Sequence, residues 1–149
     1  TVVSSYRETM ELRTDNKPKI VIAGSGMLTG GRMLNYLETQ AQNPNNTLLF
    51  VGYQAEGTRG RKLLEGEKEL KVYGKWVPFK MQVAEIEGLS AHADHAELMD
   101  WMDSIKNKPE RIFIVQGEKE SAEALQKGIK ETYGWDAEIP QLYTIEEIE

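Results

Sequence analysis

The amino-acid sequence predicts an α/β fold in which a mostly parallel sheet is flanked by helices. Short apolar runs rich in β-branched residues recur along the chain, helical periodicity fills the stretches between them, and turn residues separate the two. This alternation is typical of parallel strands that helices cover on both faces. Such sheets bind ligands at the carboxyl ends of their strands, where the polar motifs of this chain lie.

The first half of the chain contains two predicted strands and two predicted helices after a polar lead-in, residues 1–18. The apolar run K-I-V-I-A-G at 19–24 predicts a strand buried on both faces. Residues 32–42 predict a helix with one apolar side, which N-P-N-N ends. The run T-L-L-F-V-G-Y at 47–53 predicts a second buried strand, and R-G-R-K-L-L-E-G at 59–66 predicts a short helix.

The second half repeats this alternation. Residues 70–87 predict two strand-like pieces around a turn at Gly74. Apolar residues recur at helical spacing in two segments, residues 94–107 and 118–133. In the first of these helices, four apolar residues are expected to face inward: Leu98, Trp101, Met102 and Ile105. Two further runs predict strands, residues 111–117 and 139–143.

Composition limits the possible functions. The chain has 149 residues and a net charge of −6, which fits one soluble domain without a surface that attracts nucleic acid everywhere. The cluster Thr58–Lys62 still leaves room for a local basic cleft. No apolar run approaches the ~20 residues of a membrane span, so we expect no membrane contact. The absence of cysteine excludes disulfides and a thiolate zinc site, and it fits the cytoplasmic location that we expect.

The glycine-rich stretch G-S-G-M-L-T-G-G, residues 24–31, lies between a predicted strand and a predicted helix. Its spacing differs from the dinucleotide fingerprint G-x-G-x-x-G, and it lacks the P-loop lysine, which disfavours nucleotide binding. Glycines let backbone N–H groups approach an anion at a helix start, where Ser25 and Thr29 would add hydroxyl donors. A tight turn that needs positive φ explains the same residues equally well, so both interpretations stay open.

Arg59 and Arg61 follow directly after the second predicted strand, in G-Y-Q-A-E-G-T-R-G-R-K. Guanidinium groups at a strand end would hold phosphates through charge-assisted hydrogen bonds. A solvated helix start is the alternative, and the residues by themselves favour it.

Both histidines of the chain lie in S-A-H-A-D-H, residues 90–95. This stretch matches the second half of the metal signature H-x-H-x-D-H, but Ser90 occupies the position of the first histidine, and no third imidazole exists for a self-contained zinc site. Asp94 predicts a helix N-cap that forms a capping box with Glu97. His92 precedes this cap at a strand end, where a histidine can act as a general acid; an ordinary solvated histidine is the simpler alternative.

The order of four motifs is more specific than any one of them. V-I-A-G-S-G-M-L-T-G-G, F-V-G-Y-Q-A-E-G-T, G-L-S-A-H-A-D and I-V-Q-G-E, in this order, resemble the β-CASP branch of the metallo-β-lactamase fold, which contains RNA-processing nucleases. The resemblance covers residues 19–133. It implies that residues 19–88 end the β-CASP cassette and that residues 89–149 are the returning segment of the lactamase domain. The N-terminal half of that domain is then a partner of this chain.

The resemblance also implies roles for individual residues. His92 matches a family motif whose histidine helps to protonate the leaving oxygen, and Gln116 occupies the position of a zinc-ligating histidine. Contacts to RNA phosphates are expected from five residues: Ser25, Thr29, Gly30, Arg59 and Ser90. A neutral amide is a poor zinc ligand, so the parent protein is a degenerate nuclease, works with one metal, or uses Gln116 differently.

The expected function is that of the C-terminal portion of a zinc-dependent hydrolase that cleaves single-stranded RNA. The chain by itself is expected to be inactive and to hold no zinc, because it carries at most one catalytic side chain. The alternative is a non-catalytic RNA-binding or protein-interaction module, which Gln116 and the acidic net charge favour. An open sheet edge invites self-association, so a homodimer or an exchanged segment is also expected.

Overall fold

The computed structural model of the protein describes residues 2–89 and 91–147, and the predicted phosphate contact Ser90 lies outside these residues. The chain forms two compact units, Thr1–Ser90 and Ala91–Glu149. Its helices are α1 (Tyr6–Thr14), α2 (Met33–Gln40), α3 (Arg59–Leu64), α4 (His95–Asp103) and α5 (Lys119–Tyr133), with a 3₁₀ turn at Glu87–Leu89. Its strands are β1 (Thr47–Phe50), β2 (Glu69–Val72), β3 (Lys75–Pro78) and β4 (Gln82–Glu85). None of the helices in the described ranges is long and apolar enough to cross a bilayer.

Helix α1 occupies residues for which the sequence predicted only a polar lead-in. The Ser5 hydroxyl accepts a bond from the Glu8 N–H at 3.2 Å, and the Ser5 N–H donates to the Glu8 carboxylate at 3.1 Å. This capping box starts the helix, and the backbone N–H of Ser5 lowers the pKa of Glu8 below its ordinary value. Arg13 forms an ion pair with Glu38 of α2 at 2.8 Å, which holds α1 against α2. The serine and glutamate three residues apart were the signal for this element.

The parallel sheet of the first unit consists of β1 and β4, paired from Thr47 with Gln82 to Phe50 with Glu85. Helices α2 and α3 contribute to the core that covers one face of this sheet. That core includes Leu34, Leu37, Leu48, Phe50 and Leu63. The prediction of an α/β fold with a parallel sheet and flanking helices is confirmed.

Residues 19–24 do not form the buried strand that the sequence predicted. They pair with no strand of the described residues, and Ile20 and Ile22 are 94% and 97% exposed. An apolar run expresses a preference for burial, but a strand exists only when a neighbouring backbone completes its hydrogen bonds. Among the described residues, β1 has β4 as its strand partner, and no strand pairs with 19–24.

The turn predicted at Gly74 is confirmed. It connects β2 and β3, which pair antiparallel from Glu69 with Pro78 to Val72 with Lys75. Tyr73 and Gly74 both have positive φ, 47° and 82°, as a tight hairpin turn requires. The segment 70–87 holds a third strand as well, since β4 follows the hairpin and joins the parallel sheet.

In the second unit, α4 and α5 pack together. The prediction that Trp101 of α4 faces inward is wrong. Met102 is buried in this core and Met99 packs against it, whereas Trp101 is 66% exposed. The reason is the width of the contact stripe. Since each helical residue turns by about 100°, a stripe centred on Met99 and Met102 leaves Trp101 outside it. Helix α5 is confirmed, and Gly134 ends it in the left-handed conformation with a φ of 67°.

The strand predicted at 111–117 is reduced to a single parallel bridge between Phe113 and Glu138. The N–H of Ile114 donates to the Glu138 carbonyl and the N–H of Glu138 donates to the Ile112 carbonyl, each at 2.8 Å. The last strand, predicted at 139–143, is also wrong, because the only pairing in this part of the described chain falls one residue earlier. Two segments that pair through one residue each form an isolated bridge. A strand would need further backbone hydrogen bonds on either side of that pair.

The Tyr133 hydroxyl joins α5 to α4 and makes a pH-dependent contact. It donates to the Asp103 carboxylate at 2.6 Å and lies 2.9 Å from the Met99 carbonyl oxygen. The bond to Asp103, and to a lesser extent burial, raises the pKa of Tyr133 to about 12 from an ordinary value of 10.0. The neutral phenol therefore stabilises the folded state fully below pH 10, and this contribution is lost as the pH rises through 12.

At pH values below 10, we expect Tyr133→Phe to unfold at a lower urea concentration than wild type. The difference between the two midpoints should shrink as the pH rises from 10 to 12. Unfolding curves at a series of pH values measure it, and the highly exposed Tyr143 supplies the control Tyr143→Phe. A difference that does not change with pH would show that the phenol proton plays no part.

Candidate nucleic-acid interface

The loop 24–31 of the first unit presents two hydroxyl groups as a pair. Ser25 Oγ and Thr29 Oγ1 lie 3.0 Å apart, and the Thr29 N–H donates to Ser25 Oγ at 3.2 Å. Ser25 is half-buried and Thr29 is exposed. Each hydroxyl thus holds the other in position, and both retain hydrogen-bonding capacity toward a ligand.

The glycines of this loop do not all serve the same purpose. Gly31 has a φ of 72°, and an added Cβ there would lie 2.5 Å from the Gly24 carbonyl oxygen. Gly24, Gly26 and Gly30 have no positive φ, and an added Cβ on any of them would meet no atom of the described residues within 4 Å. A tight turn therefore accounts for Gly31 alone, and the space above the other three glycines leaves their backbone open to a ligand.

Gln54 fastens the loop to the end of strand β1. Its side chain is 3% exposed, and its amide Nε2 donates to the carbonyl oxygens of Gly26, Gly52 and Tyr53 at 3.1, 2.9 and 3.2 Å. Its Oε1 is buried, has no hydrogen-bond partner among the residues that the structure describes, and lies against Gly60, where an added Cβ would be 1.7 Å away. Sequence reasoning missed this residue, because a single glutamine after an apolar run carries no distinctive pattern.

Arg59 also holds the loop in place through hydrogen bonds. Its Nη1 donates to the carbonyl oxygens of Leu28 and Thr29 at 3.0 and 3.4 Å, and its Nε donates to the Lys71 carbonyl at 2.9 Å. The guanidinium group therefore lies beside the backbone carbonyl of Thr29, and part of its donor capacity holds the loop backbone. Thr29 and Arg59 line the same cleft, whose volume is about 360 Å³.

The second unit carries the histidine motif. His92 is exposed in the segment that precedes α4. The Glu97 N–H donates to the Asp94 carboxylate and the Asp94 N–H donates to the Glu97 carboxylate, both at 2.9 Å, which confirms the predicted capping box. His95 opens the helix, and its ring lies near Gly128 of α5, where an added Cβ would be 2.9 Å from Nε2. The capping box therefore fixes the start of α4, two residues after His92.

Gln116 is exposed and adopts the left-handed conformation, with a φ of 64°. This conformation is uncommon for a residue with a side chain and costs on the order of 1 kcal/mol. It lets the chain turn from the bridge at Phe113 into Gly117, which packs against Ala122 at the start of α5. The amide side chain thus projects from a sharp turn at the end of a strand-like segment.

The metal-binding capacity of the described residues is low. They contain no group of three or more histidine, cysteine, aspartate or glutamate side chains that could hold a metal ion. Zinc sites in proteins take at least three such ligands, and the amide of Gln116 does not replace one of them well. The described residues therefore do not fit a complete zinc centre.

The structure thus gathers four of the predicted residues around one loop: Ser25, Thr29, Gly30 and Arg59. His92 and Gln116 belong to the second unit. Ser90 lies outside the described residues. The loop of the first unit is the better-defined site, because Gln54 and Arg59 make six hydrogen bonds there, three to the backbone of the loop and three to residues around it.

Comparison with known proteins identifies two family domains along the chain. Residues 1–63 match the β-CASP domain, and residues 76–140 match the zinc-dependent metallo-hydrolase RNA specificity domain. The chain is 37% identical over 143 residues to the transcription termination factor FttA of Pyrococcus horikoshii, a match that covers 93% of this chain and 22% of that protein. FttA of Methanocaldococcus jannaschii is 40% identical over 122 residues, 78% of this chain and 19% of that protein.

A ribonuclease of Thermus thermophilus is 40% identical over 110 residues, which is 74% of this chain and 25% of that protein. The chain therefore spans a quarter or less of the length of these relatives. The resemblance seen in the four sequence motifs is confirmed. The chain belongs to the β-CASP metallo-β-lactamase family of RNA-processing nucleases and corresponds to the C-terminal portion of its members.

Proposed function

We propose that this chain is the C-terminal portion of a metal-dependent hydrolase that cleaves phosphodiester bonds of single-stranded RNA, and that it is inactive by itself. The observation that carries the proposal is that a β-CASP match is followed by a match to an RNA specificity domain. The described residues contain no cluster of side chains that could hold a metal ion. Metal-assisted phosphodiester cleavage needs such ligands to activate water and to stabilise the transition state. We propose that the N-terminal half of the parent lactamase domain supplies these ligands.

The residues of this chain would bind the substrate and move one proton. The hydroxyl pair of Ser25 and Thr29 and the open backbone at Gly30 would donate hydrogen bonds to phosphate oxygens, with Arg59 adding positive charge beside them. We also propose that Ser90 contacts an RNA phosphate. The exposed His92 would give its ring proton to the leaving oxygen as the P–O bond breaks.

One face of the parallel sheet exposes apolar residues, which favours binding of a large apolar partner there. Leu48 and Phe50 of β1 are buried, whereas the alternate residues Leu49, Val51 and Tyr53 are each about half exposed. Parallel sheets are normally covered on both faces, so this row favours a second apolar surface in the working protein. We propose the N-terminal half of the parent domain as that partner. A second copy of the chain, with or without segment exchange, is the alternative.

The assignment of residues 19–88 to the β-CASP domain and of residues 89–149 to the returning lactamase segment stays part of this proposal, as does a cytoplasmic location. Zinc is the proposed metal of the whole protein, because the matched RNA specificity domain is described as zinc-dependent. Gln116 leaves three versions open: a degenerate nuclease, a one-metal enzyme, or a different role for this residue.

A non-catalytic RNA-binding or protein-interaction module is the second candidate function. It is favoured by the exposed amide of Gln116 at the position of a family zinc ligand and by the acidic net charge. Relatives that are named transcription termination factors are compatible with either candidate.

We expect the purified chain to bind single-stranded RNA without cleaving it, with or without added Zn²⁺. Binding should weaken steeply as salt rises, because phosphate contacts release counterions. Fluorescence anisotropy across a salt series measures binding, and gel electrophoresis of the labelled RNA measures cleavage. Double-stranded RNA of the same sequence is the control and should bind more weakly. Metal-dependent cleavage would overturn the inactivity of the chain, and an absence of binding at low salt would leave the protein-interaction module.

A further inference from the structure

The cleft beside the glycine-rich loop has a second wall that the predicted phosphate residues do not explain. Thr29, Arg59 and Lys62 line one side of its 360 Å³ volume, and Lys71 and Trp76 of the β2–β3 hairpin line the other. The two walls are joined by the Arg59 guanidinium, which donates to the Lys71 carbonyl at 2.9 Å. The distance between the walls is thereby held by a hydrogen bond within the first unit.

Trp76 is exposed although the hairpin that carries it is well packed. Leu70 and Val77 point into the core of the unit, whereas Lys71 and Trp76 are cross-strand partners on the opposite face. Trp76 is 64% exposed there. A tryptophan beside a lysine on an open β-surface is the arrangement with which single-strand-binding proteins stack bases and hold the backbone.

The charge of the cleft differs from that of the chain as a whole. Three cations line it, Arg59, Lys62 and Lys71, against two carboxylates, Glu67 and Glu69, while the chain carries a net charge of −6. Cations therefore outnumber carboxylates at a cleft that is also lined by an exposed indole and by Thr29, a predicted phosphate ligand. Local charge of this kind favours a polyanion over a neutral peptide.

We propose that Trp76 stacks on a base of single-stranded RNA in this cleft, with Lys62 and Lys71 on the flanking phosphates. The inference rests on the proposed function and adds to it a base contact on the hairpin, outside the loop 24–31. Stacking of this kind tolerates any base, because every base has a π-face. The cleft therefore holds the strand without selecting its sequence.

The experiment compares the affinity of wild type and Trp76→Ala for single-stranded RNA of about ten nucleotides, within the usual site size of such surfaces. Trp76→Ala is expected to weaken binding about tenfold, and Trp76→Phe, which keeps an aromatic face, by less than about threefold. Trp101→Ala is the matched control, because Trp101 is equally exposed but lies on the second unit. An abasic ribose-phosphate oligomer should bind wild type and Trp76→Ala equally.

The outcomes separate this inference from the proposed function. Wild-type binding that Trp76→Ala leaves unchanged overturns the base contact and leaves the proposed function intact. A wild type that binds no single-stranded RNA overturns both. A Trp76→Ala variant with unchanged RNA affinity but altered sedimentation assigns the indole to a contact between protein molecules, which also overturns the inference.

Discussion

Replacing Gly31 by alanine is expected to lower the free energy of unfolding by on the order of 3 kcal/mol and to weaken RNA binding with it. Two costs add at this position. The residue would have to adopt a φ of 72°, and its Cβ would lie 2.5 Å from both the Gly24 carbonyl oxygen and the Ser25 nitrogen. Because these atoms belong to the backbone, no side-chain rotation relieves the contact. The loop must open instead, and the pairing of Ser25 with Thr29 is disturbed.

The neighbouring variant Gly30→Ala is the control for this prediction. An added Cβ at Gly30 meets no atom within 4 Å, and its φ is not positive, so its stability should change by less than about 0.5 kcal/mol. Urea unfolding followed by circular dichroism measures the stability of both variants. Equal stabilities for the two alanine variants would show that the loop has another closed form that accepts a side chain at 31.

Replacing Gly60 by alanine is expected to cost about 2 kcal/mol, although alanine is the better helix former. Gly60 is the second residue of α3, and its added Cβ would lie 1.7 Å from Gln54 Oε1 and 3.1 Å from the Phe50 ring. The Gln54 amide is held by three carbonyl oxygens and cannot move without losing them. The Gly60 N–H also donates to the Met27 carbonyl at 3.2 Å, so the loop would loosen as well.

A double-mutant cycle tests the cause of this loss. Gln54→Ala removes the side chain that the new methyl group meets, so the double variant should be more stable than the sum of the two single losses predicts, by about 1 kcal/mol or more. Gly52→Ala is the control, because its Cβ would meet no atom within 4 Å. Strictly additive losses would mean that the methyl group of residue 60 does not act through Gln54.

The candidate site was predictable where its chemistry depends on residues close in sequence. The hydroxyl pair of Ser25 and Thr29 is four residues apart within one loop, and the cap at Asp94 involves a residue three positions later. The role of Arg59 was predictable only in part. Its position after a strand placed it near the loop, but its bonds to Thr29 and Lys71 depend on how α3 meets the hairpin.

The sequence by itself was enough to predict the family, helices α2 to α5 with the cap at Asp94, and the hairpin turn, because caps and turns depend on residues within about four positions of one another. The tertiary structure alone decided which apolar residues are covered. Ile22 and Trp101 are exposed because a strand needs a partner and a helix buries only one stripe. Gln54 and Trp76 belong to this second group too, since contacts from distant parts of the chain decide that one is buried and the other faces the cleft.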